Sequence, residues 1–438
     1  MKLSKFSVHC LVALLLLCAT LLSGCQSGNQ TDTQENTENR RQQDAFDVWD
    51  GTVAASFGGG DGSESDPYQI KSAAQFAFLA KEINSIKNQS YKGKVFSLLC
   101  NIDLNHIEWT PIGNIMDPFD GIFYGNQHVI KNLTIISDAS STIQPLVTDL
   151  DLEFYALGLF GSCQNVVIQD LDIDNATFAV TSVPSNCHQV TCVGVLIGRL
   201  LSLSDSKVYN VRVSDAEITA APDPQDERAM DIGGIIGTVI TDGQNSSFDA
   251  QRMQADVHVL YTADFGFNNS IGGLFGTVKP DQSCNIRDGA SYLTVDMTDG
   301  QAREDENWSN FGAIGYMSLQ NVDARLSNLF SKVVLNRDHD PNGEDSQVYF
   351  INAIIGKMYG SSAPSDTIGQ YYLENLFGYV EQPDGYSEGK QTTYNLCHIL
   401  QGSISSEKNC LGCSSLPENH GFDPEIWELS DTAHPTIK

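Results

Sequence analysis

The chain has 438 residues, 41% of them hydrophobic, which is enough apolar material for a large folded body. It carries 55 acidic against 25 basic residues, a formal net charge of −30. A surface this acidic repels phosphate backbones and anionic headgroups, which excludes nucleic acid as a partner and direct electrostatic adsorption to a membrane.

Lys2 and Lys5 precede an apolar run from Cys10 to Leu22, and Ser23-Gly24-Cys25 follows. A positive start, an apolar run too short to span a bilayer and small residues at a cleavage point predict a secretory signal over residues 1–24. Leu22-Ser23-Gly24-Cys25 looks like a bacterial lipobox. The resemblance implies that Cys25 takes a diacylglycerol and becomes the mature N-terminus, so the membrane is met through lipid. Gln26 follows Cys25, where an aspartate would favour inner-membrane retention. The expected location is therefore the outer membrane or cell surface of a Gram-negative bacterium. Residues 25–48 have almost no apolar content and cannot offset their ordering entropy, which predicts a flexible tether.

Residues 49–150 are expected to hold the N-terminal cap and the first coils of a repeat fold. Within them, 72–84 form one amphipathic helix, with Ser72 and Gln75 placed for a capping box and Phe76, Leu79, Ala80 and Ile83 on one face.

From 151 to 380 the chain repeats. Glycine-bracketed apolar motifs end at Gly161, Gly198, Gly237, Gly276, Gly315 and Gly356, spaced 37, 39, 39, 39 and 41 residues apart. Glycine at a fixed position suits a bend where neighbouring backbones come close. A second motif reads apolar, any, Asn or Asp, apolar, any, apolar, and it places Asn132, Asp170 and Asn210 at its third position. Shorter forms place Asn328 and Asn375 there. Period-two alternation after the Asn is a half-buried strand, and Asn tolerates the left-handed backbone and can ladder onto its copy in the next coil. Units of this kind bury their apolar face only by stacking. The fold class predicted is all-β: a parallel β-helix or solenoid, expected to be right-handed, with a short N-terminal capping helix. A β-propeller has a similar period but needs four strands per unit, where two or three are visible. Residues 381–438 are expected to supply C-terminal coils and the opposite cap, around Trp427 to Lys438.

The order Trp49-Asp-Gly51, Ser65-Asp-Pro-Tyr-Gln-Ile70, the helix, Asn101-Ile-Asp-Leu104, Trp109-Thr-Pro-Ile-Gly113 and Phe119-Asp-Gly-Ile-Phe-Tyr-Gly125, together with the glycine motifs, resembles the GLUG-repeat proteins. Many of these are bacterial surface lipoproteins. The resemblance covers residues 49 to about 380 and implies an extracellular β-helix of the kind that accompanies adhesin-like and peptidase proteins, leaving activity open. Gly312-Ala-Ile-Gly315 and Asn352-Ala-Ile-Ile-Gly356 depart from the pattern.

Candidate chemistry is sparse. Asp170, Asp172 and Asp174 alternate along one strand, as in β-helical lyases and glycosidases, but no basic cluster accompanies them, and Arg212 in the next coil is placed to pair with Asp172. Asp338-His-Asp340-Pro-Asn342-Gly343 matches the opening of a calcium loop, yet Tyr349 stands where the twelfth-position Glu belongs, so a polar hairpin insertion is the better account. Cys397, Cys410 and Cys413 suit a disulfide better than zinc. No catalytic residue and no resident cofactor is assigned. The reading is a lipid-anchored cell-surface protein that binds or adheres without catalysis, with a glycan or a host or bacterial surface protein as partner. A β-helical polysaccharide lyase or glycoside hydrolase is the alternative, and a structural part of a surface assembly is a third.

Overall fold

A computed structural model describes residues 45–85, 89–138, 152–182, 187–221, 228–262, 269–298, 308–318, 323–337, 348–351, 353–359, 371–381, 426–428 and 436–437. Residues 44–438 form one compact unit. It is a parallel β-helix. Among the described strands every pairing is parallel except that of Trp427–Glu428 with Thr436–Ile437. The strands gather into a 13-stranded and a 10-stranded sheet that run along the stack.

One coil shows how the sequence makes the turn. Cys187–Gly194 and Ile197–Ser202 lie in the 10-stranded sheet on either side of a glycine corner, and Asp205–Ala220 then crosses in the 13-stranded sheet. The next coil repeats this with Ala229–Gly233, Ile236–Thr241 and Ser247–Thr262. Val193, Ile232, Ile271 and Phe311 stand in register, so the spacing of the glycine motifs is the length of one coil.

Like residues therefore stack on like. Ile168, Val208, Ala250, Ile286 and Leu326 form one column inside the solenoid, all of them buried. Each such side chain removed from water contributes about 1.5–3 kcal/mol if large, less for alanine. No coil can supply that burial alone.

The closing glycines stack as well, and the reason is steric. A Cβ on Gly237 would stand 2.6 Å from the Gly198 carbonyl oxygen, and one on Gly276 would stand 2.5 Å from that of Gly237. The ladder also extends one coil before the first glycine-bracketed motif. A Cβ on Gly161 would meet the Gly113 carbonyl oxygen at 2.5 Å, so Trp109-Thr-Pro-Ile-Gly113 lies against Gly158-Leu-Phe-Gly161 as an earlier rung.

The helix Ala73–Ile83 closes the N-terminal side, with Phe76, Leu79, Ala80 and Ile83 buried. Gln75 N–H donates to Ser72 Oγ at 3.2 Å, and Gln75 Oε1 accepts from Lys71 N–H at 2.8 Å, one residue earlier than an ideal capping box. The Asp47 carboxylate accepts from Ala73 N–H at 2.6 Å, a favourable charge at a helix start. Phe76 stacks on Trp109 with ring centroids 5.0 Å apart, and Trp49 meets Trp109 edge-on at 5.4 Å. No helix among the described residues is long and apolar enough to cross a membrane.

Three expectations need correction. The tether expected over 25–48 does not reach its expected end, since Phe46–Val48 is a strand paired with Asn101–Asp103, and residues 25–44 lie outside the described residues. Asn132 does not share a column with Asp170; Ile130 pairs with Ile173, which sets Asn132 beside Asn175 instead. The C-terminal segment is not an end cap where it is described. Thr436–Ile437 lies on the outward face of the 13-stranded sheet, against Ala290 and Phe330, well before the strand Tyr371–Glu381.

Candidate functional site

The outward face of the 13-stranded sheet carries most of the polar residues singled out from the sequence. Its strands are bent at fixed points by residues in the left-handed region. One column of bends is Asp170 (φ 57°), Asn210 (52°), Arg252 (55°), Asp288 (54°) and Asn328 (54°). Register sets position 375 beside Asn328. Another column is Asn132 (58°), Asn175 (53°) and Asp215 (50°). Asn and Asp take this conformation at the lowest cost after glycine.

These side chains spend their polar atoms on each other. Asn210 Nδ2 donates to Asp170 Oδ1 at 2.6 Å, and Gln169 Nε2 donates to Asp170 Oδ2 at 2.9 Å. Farther along, Asn328 Nδ2 and Gln251 Nε2 donate to the two oxygens of Asp288 at 2.9 and 3.0 Å. Arg252 interrupts the series and lies over the Tyr209 ring, 5.6 Å from its centroid. In the other column Asn175 Nδ2 donates to Asn132 Oδ1 at 2.6 Å, and Asn132 Nδ2 donates to Asp103 Oδ1 at 2.7 Å.

The carboxylates that suggested acid/base work are committed to the same ladders. Asp170 sits at a bend, so it breaks the alternation with Asp172 and Asp174 that the sequence implies. Asp174 Oδ1 accepts from Ser214 Oγ at 2.7 Å. Arg212 does stand beside Asp172 in register, and its guanidinium donates to the Ile437 carbonyl at 2.7 Å. Burial works against the charge on Asp296, but hydrogen bonds from Asn336 and His258 outweigh it and hold that carboxyl below the usual range. Desolvation, and then the neighbouring charge of Asp215, raise Asp256. Among the described residues no group of three or more His, Cys, Asp or Glu could hold a metal ion.

Replacing one rung tests the ladder. Asn210→Asp puts a second carboxylate against Asp170 and removes the donor, so the protein should lose about 1–3 kcal/mol at neutral pH. The loss should shrink as the pH falls toward 4, where one of the two carboxyls binds a proton. Urea midpoints at pH 7.5 and 4.5 measure this, and equal destabilisation at both would refute the charge argument.

A second polar cluster is buried where the two strand segments of the glycine corner face each other. Thr238 Oγ1 donates to Asp231 Oδ2 at 2.7 Å, and Ser270 and Thr277 also give Asp231 hydrogen bonds. Asp231 is 5% exposed, and desolvation raises its pKa despite these donors and Lys279. No sequence feature pointed to it.

Among the described residues Cys100, Cys163, Cys192 and Cys284 form no disulfide. Burial, with Asp249 nearby, pushes the Cys284 thiol up to about 12, which leaves almost no reactive thiolate. Cys25, the Asp338, Asp340 and Asn342 loop, and Cys397, Cys410 and Cys413 lie outside the described residues.

The chain matches no family model. An alignment of 205 positions that covers 44% of the chain is 27% identical to Halomucin of Haloquadratum walsbyi and spans only 2% of that protein's length. A solved structure from Bacteroides ovatus, described as a candidate immunoglobulin A1 protease, aligns over 88% of this chain and 98% of its own at 17% identity, with a TM-score of 0.40. Likeness that loose carries no activity across.

Proposed function

We propose that the chain is a lipid-anchored cell-surface protein of the GLUG-repeat kind, a non-catalytic binding or adhesion scaffold. Cys25 bears the diacylglycerol, a short polar tether follows, and the β-helix presents its outward face to a glycan or to a surface protein. The observation that carries this reading is the state of the carboxylates along the 13-stranded sheet. Asp170, Asp174, Asp288 and Asp296 are spread along the stack and each is bonded to the next coil, and His258 meets Asp296 from the coil before. A scaffold needs rigid display more than a poised acid, and inter-coil bonds supply it.

The anchor is tested on the full chain expressed in a Gram-negative host. Wild-type protein should incorporate radiolabelled palmitate and sediment with outer-membrane vesicles. Cys25→Ala should abolish the label and move nearly all of the protein to the soluble exported fraction, since a single apolar leader is removed and no second anchor is proposed. Unchanged labelling or sedimentation of the variant would sink the proposal. Binding is scored by a glycan array and whole-cell capture with the same protein. Silence in both would favour a structural part in a larger assembly.

A further inference from the structure

The outward column that runs Arg212, Gln254, Ala290, Phe330 crosses four successive coils in register. Alternation puts these residues on the solvent side, since Val211, Val213, Met253, Ala255, Leu329 and Val333 point inward and are buried. Ala290 and Phe330 are nonetheless 0% exposed. Ile437, itself 4% exposed, packs in one cluster with them, and Tyr292 and Ile426 pack at the edge. The same residue is held by its main chain: Arg212 Nη2 donates to the Ile437 carbonyl at 2.7 Å, and Ile437 N–H donates to Gln254 Oε1 at 3.0 Å.

Two long polar side chains that catch the N–H and the C=O of one residue recognise extended main chain. An apolar floor beside them selects an apolar side chain. Peptide-recognition surfaces combine these two elements, backbone bonds for affinity and a pocket for an alternate side chain. A stretch that served only as solenoid wall would be expected to keep polar residues on this face, as the neighbouring positions Thr294 and Lys332 do.

We infer that this column is a peptide-binding site for an extended segment bearing a β-branched apolar residue, and that Thr436–Ile437 is its resident ligand in cis. The site does not depend on the lipid anchor or on the adhesion reading. Its occupant in trans is the same segment of a second copy of this chain, the sequence already seen to fit the column.

The test uses the full chain and a fluorescein-labelled synthetic peptide of residues 424–438, read by anisotropy. Ile437→Asp should release the resident segment, because a carboxylate cannot stay on the Ala290–Phe330 floor. The peptide should then bind this variant saturably and bind wild type at least about ten-fold more weakly, since wild type is already occupied. Adding Arg212→Ala and Gln254→Ala to Ile437→Asp should weaken binding by about ten-fold or more. Far-UV circular dichroism checks that the coils persist, and Ile437→Ala serves if the aspartate variant does not fold. Equal binding to wild type and variant, indifference to the Arg212 and Gln254 changes, or no binding up to about 1 mM peptide would each overturn the inference.

Discussion

Gly237→Ala should destabilise the protein by about 3 kcal/mol, the upper end of what overpacking a core usually costs. The added methyl has no free direction. It would stand 2.6 Å from the Gly198 carbonyl oxygen and 2.7 Å from the Val193 backbone nitrogen. Both belong to neighbouring strand backbone, so relief means parting two coils or opening the corner. Gly93 provides the contrast. It has φ +66°, but a methyl placed there would find nothing within 4 Å, so Gly93→Ala bears only the left-handed backbone penalty of about 1 kcal/mol. Urea unfolding of the two variants separates steric from conformational demand. If Gly237→Ala lost no more stability than Gly93→Ala, the corner glycines would not be there for lack of room. Because the glycines form a ladder, the damage should also spread. Coils on both sides of Gly237 should exchange backbone hydrogens faster, as expected where each repeat leans on its neighbours.

That necessity is why the fold was legible. A position at which any side chain strikes the next coil can hold only glycine, so the coil length is written directly as the spacing of Gly198, Gly237, Gly276 and Gly315. The bends were harder to read, because several residue types can occupy them. Asn132 and Asp170 sit in the same local pattern, yet they occupy different bends, and only the pairing of Ile130 with Ile173 tells them apart. Arg252 and Asp288 occupy the Asp170 column but escape the motif, Arg252 because it is itself neither Asn nor Asp, and Asp288 because Gly289 and Ser291 stand where apolar residues belong. The outward face was the least legible. Ile437 meets Arg212 and Gln254 across 225 and 183 residues, and two ordinary residues near the end of a chain give no signal of where they will lie. Asp231 was missed for a related reason. Its partners Thr238 and Ser270 come from the other arm of its own corner and from the next coil, and neither spacing corresponds to a known site.

Asp231→Asn should stabilise the protein at neutral pH and remove a pH dependence. Burial raises the Asp231 pKa above its value in the unfolded chain, and the hydroxyls of Thr238, Ser270 and Thr277 do not restore it. The folded protein therefore holds a proton at pH values where the unfolded chain has released it. Stability from this group is fully present below the ordinary carboxylate range near 4 and is lost as the pH rises through the folded pKa, with a slope of up to about 1.4 kcal/mol per pH unit in that window. An amide keeps the shape and the acceptor oxygen for Thr238 without a charge to desolvate. The difference in stability between variant and wild type should accordingly be small at pH 4 and grow toward pH 7. Asp231→Leu, by contrast, leaves three buried hydroxyls without their acceptor and should cost about 2–4 kcal/mol at pH 4, a cost that shrinks toward pH 7 as the wild type loses its own contribution. Denaturant titrations of the three proteins across pH 4–8 decide between these outcomes. Parallel curves for wild type and Asp231→Asn would show that Asp231 carries the same charge folded and unfolded, and that the corner tolerates a buried anion.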